Sequence, residues 1–98
     1  MKLITPNETE ITGKWIMSQG HIEEDDTCKR ITELVQGCLA ELGHDESGWD
    51  TLYRDTNDGR FWEKIFPKSE VQGGGPPQLR CLSADEARRK YGNVAVIS

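Results

Sequence analysis

Between Cys28 and Leu42 the apolar residues fall on one side of a helix, and no other stretch of the chain is as regular. Cys28, Ile31, Leu34, Val35, Cys38, Leu39 and Leu42 collapse onto an arc of about 140° when wound at 3.6 residues per turn. Lys29, Arg30, Glu33, Gln36 and Glu41 lie outside it. Asp25, Asp26 and Thr27 supply a cap and negative charge at the amino end, and Gly43 suits the stop. The spacing predicts an amphipathic helix over about residues 25–43. A stripe of that width has to be laid on another layer, so the remaining residues must supply one.

They read as strands. Glu10 to Met17 ends in the β-prone KWIM, with Ser18-Gln19-Gly20 as its turn. Gly48 to Asp55 and Arg60 to Phe66 form two further runs, joined by Thr56-Asn57-Asp58-Gly59, residue types that accept the backbone of a tight hairpin. Gly73-Gly74-Gly75-Pro76-Pro77 then interrupts the pattern. Beyond it, Gln78 to Leu82 suits a short strand. Ser83-Ala84-Asp85-Glu86 is a capping box that opens a short helix over about residues 83–91, stopped at Gly92. Val94 to Ile97 could return to the sheet. The expectation is one α+β domain over residues 1–98: an antiparallel sheet of four to five strands, one long helix and one short one.

Ninety-eight residues are enough for one such core. The net charge of −5 is uneven: residues 1–50 hold 11 acids and 4 bases, residues 51–98 hold 6 acids and 8 bases. An acidic half opposes direct binding to nucleic acid, which needs a basic footprint. It suits a basic protein partner, or simply a solvated surface. No apolar run approaches the length of a membrane span. Cys28, Cys38 and Cys81 include no C-x-x-C pair, and two of them on one helix would stand about 15 Å apart along its axis. Reduced thiols in a cytoplasmic protein are the expectation.

Four kinds of chemistry can be weighed. A phosphate cradle needs converging backbone N–H groups, yet the three glycines are followed by Pro76 and Pro77, which donate none. Counted from Asp55, a calcium loop would place Gly59 fifth rather than sixth. His21 and His44 lack zinc-ligand spacing, so neither a metal nor a cofactor is expected. Cys28 sits in the centre of the apolar arc and reads as core, not as a nucleophile. Asp55, Asp58 and Glu63 lie near one hairpin, and an acid–base pair there beside the Gly73–Gly75 loop is the alternative reading, a small enzyme or ligand-binding domain.

The joined pieces GW-D-T-LYRD, DGR-x-W-E, P-x-SE and GGGPP-x-L, followed by a short helix carrying EA and Tyr91, resemble the Immunity protein 27 family. The G-x-W at Gly13 and the C-x-R-I-x-x-L helix are similar too, so the resemblance spans about residues 13–91. It implies a non-enzymatic bacterial inhibitor, encoded beside a toxin of a contact-delivered polymorphic system. Such a protein neutralises its cognate toxin domain by occlusion in the cytoplasm, as a monomer in a 1:1 complex. A basic toxin such as a nuclease would match the acidic half. The family assigns no contacts. Exposed charge nominates Glu23, Glu24, Asp25, Asp26, Asp55, Asp58, Arg60, Glu63 and Glu70 as partner-binding residues, with Gln72 beside the last.

Overall fold

The computed structural model describes residues 3–67 and 75–92. Nine elements follow in order: β1 (Glu10–Thr12), β2 (Trp15–Ser18), β3 (His21–Glu24), α1 (Asp26–Gly37), β4 (Leu39–His44), β5 (Thr51–Asp55), β6 (Phe61–Ile65), β7 (Gln78–Leu82) and α2 (Ala84–Tyr91). Five strands form one antiparallel sheet in the order β1-β7-β6-β5-β4, and β2 pairs with β3 in a separate ribbon. The α+β class, the five-stranded sheet and both helices are as expected.

Side chains alternate between the two faces of a strand, and residues paired across strands share a face. Tyr53 opposes Trp62, while Leu52 opposes Glu63 and Arg54 opposes Phe61. The first face carries Ile11, Leu39, Tyr53, Trp62 and Leu79, closed by Ile31 and Leu34 of α1. The second carries Leu52 and Leu82, closed by Ala87 and Tyr91 of α2. The sheet therefore has a helix on each side, and each helix buries only its apolar stripe.

Three boundaries differ from the sequence reading, each for a physical reason. The long helix ends at Gly37, with Cys38 as its cap donating to the Leu34 carbonyl, and residues 39–44 are strand β4. Leu39 then packs with the α1 core and Leu42 with the α2 core, on two faces that a continuous helix would have merged into one. The run read as one strand from Glu10 splits at Gly13. A Cβ there would stand 2.6 Å from Cys28 Sγ and 2.8 Å from the Pro77 carbonyl, closer than side chains pack. The bare backbone instead lets Gly13 N–H donate to Pro77 O at 2.9 Å, and the chain leaves the sheet for the ribbon. Finally His21–Glu24, where the sequence reading predicts no element, is a strand. Its tight turn places Gln19 and Gly20 both at positive φ, as a two-residue hairpin of the type I′ kind requires. The expected return strand at Val94 to Ile97 lies outside the described residues.

Candidate functional site

Two surfaces combine charge with shape. The first is centred on Glu63, the middle residue of β6. Its position on the α2 face puts its side chain under the end of that helix, with 0% exposure. Burial of a carboxylate is costly unless it is paired and hydrogen-bonded, and here it is. Arg80 of β7 donates from Nε at 3.0 Å and from Nη2 at 2.9 Å to Oε2. Lys90 Nζ at 2.7 Å and the Tyr91 hydroxyl at 2.9 Å both donate to Oε1. Lys90 Nζ also reaches Asp50 Oδ2 at 2.8 Å. Burial alone would lower the Lys90 pKa, but its bonds to Asp50 and Glu63 hold it above the ordinary lysine value. Burial, with Glu63 beside it, pushes the Tyr91 hydroxyl well above the ordinary tyrosine value.

Outside this group opens a concavity of about 680 Å³, lined by Trp49, Asp50, Phe66, Arg80 and Lys90 among others. Trp49 and Phe66 meet edge to face there at 5.8 Å. Two carboxylates face two cations, so the network is charge-balanced, and each oxygen of Glu63 is already engaged. Its chemistry is that of a clasp between sheet and helix.

The second surface is the β2–β3 ribbon and the adjacent start of α1. Met17 and Ile22 are direct partners across the ribbon, and they are 73% and 65% exposed. Ile16, on the opposite face and paired with Glu23, is 46% exposed. Glu23 and Glu24 are exposed on β3, and Asp26 is exposed in the first turn of α1. A shallow groove between Ile22, Glu23, Glu24 and the Lys29, Thr32 and Glu33 side of α1 runs along it. Among the described residues, no side-chain hydrogen bond or ion pair engages Glu23, Glu24 or Asp26.

The residues nominated from the sequence thus fall into different places. Asp25 is the N-cap of α1, its Oδ1 accepting from Cys28 N–H at 2.9 Å. Burial acts to raise its pKa, but this and other backbone donors hold the carboxyl below the usual value. Asp55 is buried at 4% exposure, with its carboxylate accepting from Asn57 N–H at 2.8 Å inside the hairpin turn. Asp58 pairs with Arg60, and the Arg60 backbone N–H is the main cause of its lowered pKa. Arg60 spends its other donors on the carbonyls of Glu8 and Thr5, at 2.7 and 3.1 Å, while its guanidinium lies 5.1 Å over the Trp62 ring. The exposure expected of Asp55 and Glu63 is therefore corrected: the fold encloses both. Glu70 and Gln72 lie outside the described residues. So do Gly73 and Gly74, whereas Gly75 is buried.

The alternative acid–base pair does not form as expected. Asp55 shares the face of Tyr53, and Glu63 shares that of Leu52, so the two carboxylates sit on opposite sides of the sheet. Among the described residues, no group of three or more His, Cys, Asp or Glu side chains is placed to hold a metal ion. None of their helices is long and apolar enough to cross a membrane.

Sequence reasoning missed Met17, Ile22, Lys90 and Asp50. The paired Met17 and Ile22 were recoverable from the Gln19-Gly20 turn, which fixes the register once β3 is granted. The Lys90 clasp left no local signal.

The pieces of sequence that carry the family resemblance meet in space. Gly13 of G-x-W bonds to Pro77 of GGGPP, and Glu63 of F-W-E bonds to Tyr91 of the short helix. Comparison with curated proteins and with solved structures gave no match. A family model does match, that of Immunity protein 27, over residues 17–83. That interval covers more than half of the chain and takes in α1 and strands β3 to β7, so the chain belongs to the Immunity protein 27 family.

Proposed function

We propose that this protein is the cytoplasmic antidote to a secreted bacterial toxin domain of a polymorphic, contact-delivered system. It binds that domain 1:1 as a monomer and covers its active or substrate-binding site, without catalysis or cofactor of its own. The observation that carries the reading is the family match over residues 17–83. The charge distribution supports a basic target such as a nuclease, since carboxylates on the inhibitor can stand where the toxin expects phosphates. Of the nine residues nominated as contacts, Glu23, Glu24 and Asp26 keep exposed side chains with no partner among the described residues. They supply the acidic part of the proposed contact.

The test is protection. The C-terminal domain of the large secreted protein encoded next to this chain should kill a host when expressed alone, and co-expression of this chain should restore growth. The two should also co-purify. A neighbour that lacks such a domain, or killing unchanged by co-expression, would overturn the reading.

A further inference from the structure

The β2–β3 ribbon is built to hold apolar side chains away from the protein's own core. An isolated two-stranded hairpin is marginal in water, and most gain stability by packing one face on something else. Here every residue of β3 is exposed. What fixes the ribbon is its base. Gly13 N–H donates to Pro77 O at 2.9 Å, Asp25 N–H to Lys14 O at 3.0 Å, and Cys28 Sγ–H to the same Lys14 carbonyl at 3.4 Å. Its tip is fixed by the tight turn at Gln19 and Gly20. Between these ends Met17 and Ile22 stand side by side on one face with little cover.

The surroundings are acidic. Glu24 shares the face of Met17 and Ile22, Glu23 is the next residue of β3, and Asp26 and Glu33 project from α1, against Lys14 and Lys29. We propose that the Met17–Ile22 face is the anchor of the toxin interface, and that its occupant is a basic protein domain with an apolar cleft rimmed by lysine or arginine. Methionine beside a β-branched residue gives an adaptable apolar knob, and desolvated apolar centres ringed by charge carry most of the affinity in such interfaces. The acidic rim steers encounter and rejects other partners. A second copy of this chain would bring Glu23 and Glu24 against their own equivalents in a two-fold contact, which like charges oppose. Nucleic acid is disfavoured for the same reason. This inference rests on the antidote reading and names the surface that performs it.

The experiment compares the full chain with M17D/I22D, binding the same neighbouring toxin domain in a titration, with circular dichroism as the control for folding. Both side chains lie outside the two cores, so the variant keeps the helices and the five-stranded sheet. Its affinity should fall by about 100-fold or more, whereas M17L/I22V should bind within about 3-fold of wild type. M17S/I22S, which sets no like charges opposite each other on the ribbon, must lose affinity likewise. Glu23→Lys with Glu24→Lys should instead slow association and flatten its salt dependence. If wild type binds and M17D/I22D binds equally well, the hairpin inference fails while the antidote reading stands. If wild type neither binds nor protects, both fail. Concentration-dependent dimerisation of wild type that M17D/I22D abolishes would assign the face to a second copy and overturn the inference.

Discussion

Replacing Glu63 by alanine tests whether the carboxylate is a clasp or a contact. The side chain is fully enclosed and accepts from Arg80, Lys90 and Tyr91. Removing one member of a buried ion pair costs about 3–5 kcal/mol when the other is left stranded. That figure must be reduced here, because the side chains of Arg80 and Lys90 are 46% and 35% exposed and can turn to water. Tyr91 cannot: it is buried, and an orphaned hydroxyl costs about 1–3 kcal/mol. Adding the lost packing of the one methylene that alanine lacks, about 0.8 kcal/mol, gives a loss of roughly 2–4 kcal/mol. For a domain of this size that lowers the melting temperature by roughly 8–30 °C. The decisive comparison is with Tyr91→Phe. In the wild type this change removes a made hydrogen bond and destabilises by about 1 kcal/mol. In the Glu63→Ala background it removes an unsatisfied group and should be neutral or stabilising. Thermal melts followed by circular dichroism give all four values. Glu63→Ala melting within about 2 °C of wild type, or Tyr91→Phe costing the same in both backgrounds, would refute the clasp.

Three further perturbations probe other parts of the fold. Gly13→Ala should destabilise by about 1–3 kcal/mol, because the new methyl meets Cys28 Sγ and the Pro77 carbonyl, and adding Cys28→Ala should recover only part of the loss; denaturant titration measures both. Arg60→Ala should release the segment around Thr5 and Glu8, seen as faster amide exchange there, while the β5–β6 hairpin amides stay protected. Stability against pH should be a plateau with two shoulders. The carboxyls of Asp25, Asp45 and Asp58 have depressed pKa values in the fold, so their contribution is complete above about pH 4 and is lost as pH falls further. Lys90, Tyr53 and Tyr91 hold their protons more tightly in the fold, so their contribution is complete below about pH 10 and is lost as pH rises beyond it. A melting temperature that climbs outside either limit would contradict the assignment.

What the sequence disclosed was whatever depended on neighbours in the chain. The β5–β6 hairpin, the capping box of α2 and its stop at Gly92 all follow from residues a few positions apart, and the structure has each of them. The end of α1 was hidden because Leu39 and Leu42 satisfy a helical period and a strand with a bulge equally well over so short a run. Leu42, three residues from Leu39, falls on the other face by alternation alone. The bulge between Glu41 and Gly43 shifts the pairing so that Gly43 rather than Leu42 stands opposite Leu52. Strand β3 was hidden because HIEE buries nothing, so hydrophobic alternation had nothing to report. The enclosure of Glu63 was illegible for another reason: its partners Lys90 and Tyr91 lie 27 and 28 residues away, on an element with no sequence mark of facing it.

These long-range bonds also divide the acidic residues by the work that folding requires of them. Asp25 caps a helix, Asp55 and Asp58 order a turn, and Glu8 and Glu63 receive arginines that tie separate segments together. Each of these carboxylates would lose native bonds if it reached outward, so using it for recognition would cost stability. Glu23, Glu24 and Asp26 carry no such obligation, and they flank the face where Met17 and Ile22 are left uncovered. Trp62 and Glu63, which lie within the family match, are enclosed by the fold. A scaffold held by enclosed residues, with a ribbon free of structural duties, can change its partner by substitution on the ribbon alone. Recognition can then diverge as toxins diverge, while the sheet and its two helices stay as they are.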